Sequence, residues 1–184
     1  MDAHDQIVDQ TNQNDDKMVF IRNQATLIKY HHYHFLITES PTDANLSSYI
    51  SLIKETHTTI VVCFCDAIYD THKLENELEK SEIKFFNLAF QDGQSPPNDI
   101  VRNWIDILEM QKNISHCITV HCSAGFGRAP IMVAIALIEK GCDPYDAIAL
   151  IRKKRHGCFN FNQLNYIEKY QPQSKPTSCH CLIS

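Results

Sequence analysis

Apolar positions along this chain fall into short β-branched runs separated by longer stretches with a period near 3.6 residues. Residues 25–29, 33–37, 58–64, 83–88 and 115–121 are short and apolar and predict five strands. Residues 43–54, 72–80 and 162–169 predict helices, and 98–110 carries apolar residues at 100, 101, 104, 105, 107 and 108, a helical face. Residues 129–140 form an apolar helix stopped by Gly141, and Asp143-Pro144, an N-cap with Pro in the first turn, opens another that runs to about Arg155. Strands alternating with helices predict an α/β domain with a central, mainly parallel sheet flanked by helices. A site on such a sheet is expected at the carboxyl ends of the strands. Residues 1–22 are polar and repeat Asn, Gln and Asp, which predicts a disordered acidic extension. The domain is assigned to 23–170 and a flexible tail to 171–184.

At 184 residues the chain is long enough for one core and too short for two domains. The net charge of −5 is uneven. Asp2, Asp5, Asp9, Asp15 and Asp16 face only Lys17, which leaves 17 acids against 16 bases in the rest. A nearly neutral body argues against a nucleic-acid binder. No charged-then-apolar signal layout opens the chain, and the longest apolar run, 131–138, is too short to span a bilayer. A reducing compartment is therefore expected, with the eight cysteines as thiols rather than a disulfide framework. His31, His32 and His34 cluster without Cys or Asp partners and read as surface and strand residues.

The chemistry lies in His121-Cys122-Ser123-Ala124-Gly125-Phe126-Gly127-Arg128, between a predicted buried strand and a predicted helix. A loop at a helix N-terminus presents unpaired N–H groups and the positive end of the dipole, which attract anions. Gly125 and Gly127 let successive N–H groups converge, and Arg128 adds a two-pronged donor suited to phosphate oxygens. Surroundings of this kind also stabilise a thiolate. One loop thus offers Cys122 as nucleophile and Ser123, Ala124, Gly125, Phe126, Gly127 and Arg128 as a phosphate cradle. A structural cysteine in a glycine turn is the bland alternative, but strand, glycines, arginine and helix arrive together and in order.

This Cys-x5-Arg pattern, with Ala129 after the arginine, resembles the phosphatase of regenerating liver (PRL) family of prenylated protein tyrosine phosphatases. The resemblance extends through Phe35-Leu36-Ile37-Thr38, Pro41-Thr42, Cys65-Asp66-Ala67-Ile68-Tyr69-Asp70, Phe90-Gln91-Asp92-Gly93, Ile151-Arg152-Lys153-Lys154-Arg155 and Leu164-Asn165-Tyr166-Ile167-Glu168-Lys169-Tyr170. It implies hydrolysis of phosphomonoesters on phosphotyrosine proteins or phosphoinositides through a phosphocysteine, without a cofactor or metal. Asp92, in a glycine- and proline-bracketed loop, would be the general acid. The family's Trp-Pro ahead of this loop reads Leu88-Ala89 here, and an Asp before the acid reads Gln91. Ala129 replaces the Ser or Thr of most related phosphatases, whose hydroxyl helps the sulfur leave; Ala cannot donate, so turnover should be slow.

The resemblance further implies that Cys65 forms a redox disulfide with Cys122; Cys63, two residues earlier, would share its face and could compete. Cys181-Leu182-Ile183-Ser184 reads as a prenylation box with farnesyl on Cys181. One prenyl chain anchors weakly, and the tail has a single lysine, so Cys179 is the candidate for a second, palmitoyl anchor. The implied location is the cytoplasmic face of the plasma membrane or of endosomal membranes. The family also contains binding partners of cyclin-M magnesium transport mediators, so a binding module gated by Cys122 phosphorylation or oxidation is the rival function, with a homotrimer as a further assembly to test. His156 and Gln91 depart from the family at that face. A rhodanese-like sulfur transferase would have no use for Asp92. The basic run 152–155 reads equally as a solvated helix end or as a phosphate attractor.

Overall fold

The computed structural model describes residues 25–110 and 116–173. The hairpin β1 (Thr26–Tyr30) and β2 (Tyr33–Glu39) is followed by α1 (Leu46–Glu55), β3 (Thr58–Cys63), α2 (Thr71–Glu79) and β4 (Lys84–Asn87). Then come α3 (Asn98–Met110), β5 (Cys117–Cys122), α4 (Arg128–Glu139), α5 (Pro144–Lys154) and α6 (Phe161–Lys169). The sheet runs β1-β2-β5-β3-β4, with β1 antiparallel and the other pairs parallel. Every predicted element is present, and the fold class holds.

Boundaries moved where side chains competed with the pattern. The first helix starts at Leu46 rather than 43, because Asn45 accepts from the Thr42 amide at 2.7 Å and closes a turn ahead of it. The last begins at Phe161, after Asn160 and Gln163 form a reciprocal capping box. The strand expected at 115–121 instead covers Cys117–Cys122, so the candidate nucleophile closes the strand itself.

Alternation along the strands sorts residues between two layers. Phe35, Ile37, Ile60, Val62, Ile118 and Val120 face the core shared with α3 to α6. Leu36, Val61 and Cys117 face α1 and α2. The fully buried α4 is the central helix, apolar on every side because other elements surround it. It ends at a left-handed Gly141, where the Cys142 amide returns to the Leu137 carbonyl at 3.0 Å. Trp104 of α3 is fully buried against Phe35 and Phe64, and its indole N–H donates to the Met132 carbonyl at 2.8 Å.

Replacing Trp104 by Ala opens a cavity and leaves that carbonyl unpaired. The expected loss is roughly 3–5 kcal/mol, read as a lower urea midpoint at unchanged m-value.

Candidate active site

Strands β2, β3 and β5 end side by side, so their carboxyl termini bring Glu39, Cys63 and Cys122 to one edge of the sheet. The chain then curls through Ser123–Gly127 into α4, with Gly127 as N-cap. In this curl each backbone carbonyl is held from outside. Ser123 O accepts from the Ser40 amide at 3.2 Å, and Phe126 O accepts from the Phe159 amide at 3.0 Å. Gly127 O accepts from the Ile131 amide at 3.1 Å as the helix begins. The other two belong to Arg155, whose Nε donates to Gly125 O at 2.6 Å and whose second guanidinium prong donates to Ala124 O at 3.2 Å. A trans peptide points its N–H opposite to its C=O. With five successive carbonyls turned outward, the amides of residues 124–128 face the inside of the curl, the arrangement that binds an anion.

Arg155 is therefore neither the solvated helix end nor the phosphate attractor that the basic run suggested. It is buried at 6% exposure, also donates to Thr26 Oγ1 at 2.9 Å, and stacks over the Phe126 ring at 4.7 Å. Burial lowers its pKa, and the negative groups around it oppose that shift. Gly125 is left-handed at φ +73°, and a Cβ there would collide with the Arg155 guanidinium and come within 2.7 Å of Thr38 O. Only glycine fits between the arginine and the strand.

Cys122 is buried at 2% exposure at the base of the curl. Arg128 is also buried, donating to Ser123 Oγ at 2.7 Å and to the Phe90 carbonyl at 3.2 Å. Its Nε lies 3.2 Å from Asp92 Oδ1, but the N–H is not aimed at that oxygen and has no hydrogen-bond acceptor among the described residues. A buried guanidinium donor without an acceptor suits an incoming anionic oxygen. Asp92 itself is 75% exposed, on a loop fastened where Asn160 Nδ2 donates to the Gly93 carbonyl at 2.9 Å. The structure thus brings together Cys122, the loop residues 123–127, Arg128 and Asp92.

Sequence reasoning missed Asn160 and Gln163, whose Asn-x-x-Gln spacing is itself a readable helix-start signal. Gln163 is buried with Nε2 unpartnered, and a Cβ on Gly127 would stand 3.1 Å from that nitrogen. A polar groove of about 580 Å³ opens beyond the acid loop between Gln94, Ser95, Tyr166 and Lys169, away from Cys122.

Cys65 lies in the bend that follows β3, buried beside Cys63 with Sγ atoms 3.9 Å apart. The contact with Cys63, followed by burial, pushes the Cys65 thiol up to about 12. Both Cys65 and Cys122 are free thiols in the structure. His31 and His32 are exposed at the hairpin turn, and His34 lies in β2. Cys179 and Cys181 lie outside the described residues. None of the described helices is long and apolar enough to cross a membrane.

Residues 49–142 match a family model described as "Tc-R-P: Polymorphic toxin system, DSP-PTPase phosphatase". The chain is 41% identical over 162 residues to protein tyrosine phosphatase type IVA 2 of Mus musculus, covering 85% of this chain and 95% of that protein. The chain belongs to the PRL, or type IVA, family of protein tyrosine phosphatases. It is also 41% identical over 157 residues to the PRL-1 phosphatase of Drosophila melanogaster, covering 84% of this chain and 87% of that protein. A protein tyrosine phosphatase structure from Leishmania major superposes with a TM-score of 0.70 at 35% identity, covering 80% of this chain and 98% of that one.

Arg155→Lys keeps the charge but loses the fork that holds two carbonyls. Phosphate affinity should fall while the fold survives, with a loss of roughly 1–3 kcal/mol in denaturant titrations. Gly125→Ala should abolish phosphate binding by calorimetry, because loop and arginine cannot both keep their places.

Proposed function

We propose that this PRL-family chain hydrolyses phosphomonoesters of the phosphotyrosine or phosphoinositide class through a phosphocysteine on Cys122, with Asp92 as general acid. The observation that carries this reading is the buried Arg128, with one donor unoccupied and Asp92 beside it, at the mouth of a loop whose amides turn inward. In the first step the Cys122 sulfur attacks phosphorus, the P–O ester bond breaks, and Asp92 gives its proton to the departing oxygen. Phosphate engages Arg128 and releases Asp92 from its ion pair, leaving the carboxyl to serve the leaving group. In the second step Asp92 accepts a proton from water, which attacks phosphorus and expels the Cys122 thiolate.

Ala129 is fully buried and offers the sulfur no hydroxyl. The second step is therefore the slow one, and the phosphocysteine is long-lived. That lifetime supports a second reading, in which the phosphorylated loop gates a partner such as a cyclin-M magnesium transport mediator or a second copy in a homotrimer. Membrane residence through farnesyl on Cys181, with acyl on Cys179, and a Cys65–Cys122 disulfide formed by peroxide complete the proposal.

A small aryl phosphate should release about one equivalent of phenol in a burst, followed by slow turnover, with phosphate trapped on Cys122 after acid quench. Cys122→Ser should eliminate the burst, and Asp92→Asn should slow it ~10²–10⁴-fold with little change in phosphate affinity. Ala129→Ser should raise the steady-state rate and leave the burst rate unchanged. A burst-free wild type with correctly folded protein would overturn the phosphocysteine route.

A further inference from the structure

At the carboxyl ends of β3 and β5, directly behind the loop, sits a group of donors outside the hydrolytic steps. Cys63 ends β3 and stands in register with His121 on β5. Cys65 follows two residues later, and one ligand atom from each of these three residues lies within 4.8 Å of the others. All three are at most 1% exposed. Their neighbours are Tyr49, packed edge-on to the His121 ring at 5.9 Å, and Tyr69, whose hydroxyl is 3.2 Å from His121 Nε2. The other ring nitrogen, Nδ1, is buried with no hydrogen-bond partner.

We propose that Cys63, Cys65 and His121 form a binding site for a thiophilic divalent cation of the zinc class, seated behind the phosphate loop. Two thiolates and an imidazole are the donors that select such an ion over magnesium or calcium. Spacing fits as well. Tetrahedral zinc with Zn–S bonds of about 2.3 Å needs its sulfurs about 3.8 Å apart, and here they stand at 3.9 Å. The imidazole is already oriented by Tyr69, as metal-binding histidines are by a hydrogen bond on the ring. Its unpartnered nitrogen marks a polar environment left incomplete by protein atoms alone. On binding, Cys63 and Cys65 release their thiol protons to solvent and two metal–sulfur bonds form, with no change of oxidation state. The two released protons offset the ion's charge, so occupancy acts through position: His121 immediately precedes Cys122, and tying its ring to Cys63 and Cys65 should restrain the loop and suppress attack.

The test uses reduced Cys122→Ser protein, which removes the nucleophile as a competing ligand and needs no activity. Zinc titrated against a chromophoric chelator should bind at one equivalent, and cadmium should give thiolate charge-transfer absorption. Adding Cys63→Ser should weaken binding by at least ~100-fold. In the protein with Cys122 intact, Cys63→Ser should also blunt inhibition by zinc that a chelator reverses in wild type. Should the serine variant fold poorly, Cys63→Ala serves, alongside mass mapping of thiols that zinc shields from alkylation. Absence of binding in Cys122→Ser, equal binding without Cys63, or shielding confined to Cys117, Cys142 and Cys158 would overturn the site.

Discussion

The outward pull on the loop carbonyls is the constraint on which the rest of this site depends. Five successive peptide groups cannot point their N–H groups at one centre unless five carbonyls find donors on the other side. Two of those donors are the buried Arg155, and its third prong reaches Thr26 on β1. One guanidinium thus joins the N-terminal hairpin, the end of α5 and the phosphate loop. A surface salt bridge in its place would be screened and loosely held. Buried arginine is costly to desolvate, so it persists only where each prong is engaged, and that requirement fixes its position. The positive φ of Gly125 and the stacking of Phe126 are consequences of where the arginine must sit.

The acid loop is held by a softer set of contacts. Asp92 is exposed and meets Arg128 through an ion pair, and the loop's firm attachment is the Asn160 contact at Gly93. Asn160 also caps α6, so the loop is tied to the start of a helix rather than to the sheet. A rigid cradle beneath a lightly held carboxylate is the arrangement a group needs if it must exchange partners during turnover.

Much of this was readable in the sequence because it is local. The strand into Cys122, the glycines, Arg128 and the helix after it occupy consecutive positions, and their periodicities change where the elements change. The fold class followed from the same alternation. Arg155 was not readable, because a basic run at a helix end has the same local pattern whether it is solvated or buried. What decides its role is the crossing that places the end of α5 beneath a loop thirty residues earlier. Asn160 was missed for a different reason. Its capping box lay in plain view, but its second contact, with Gly93, spans 67 residues. The Cys63–His121 pairing likewise depends on strand order, which alternation alone leaves open.

Cys65 is claimed by both proposals made above, by a disulfide with Cys122 and by a cation held with Cys63 and His121, and the two uses exclude one another. Cys65 can bond to Cys122 only if it is not bound to a metal, and a cation behind the loop requires Cys65 and Cys63 as thiolates. A disulfide would use the same sulfur and expel the ion. Burial packs these sulfurs tightly, at 0–2% exposure. Under either proposal, the state of Cys65 bears on how Cys122 meets phosphate. Cys63, outside the loop and the acid machinery, takes part only in the proposed cation site, so a substitution there tells the two uses of Cys65 apart.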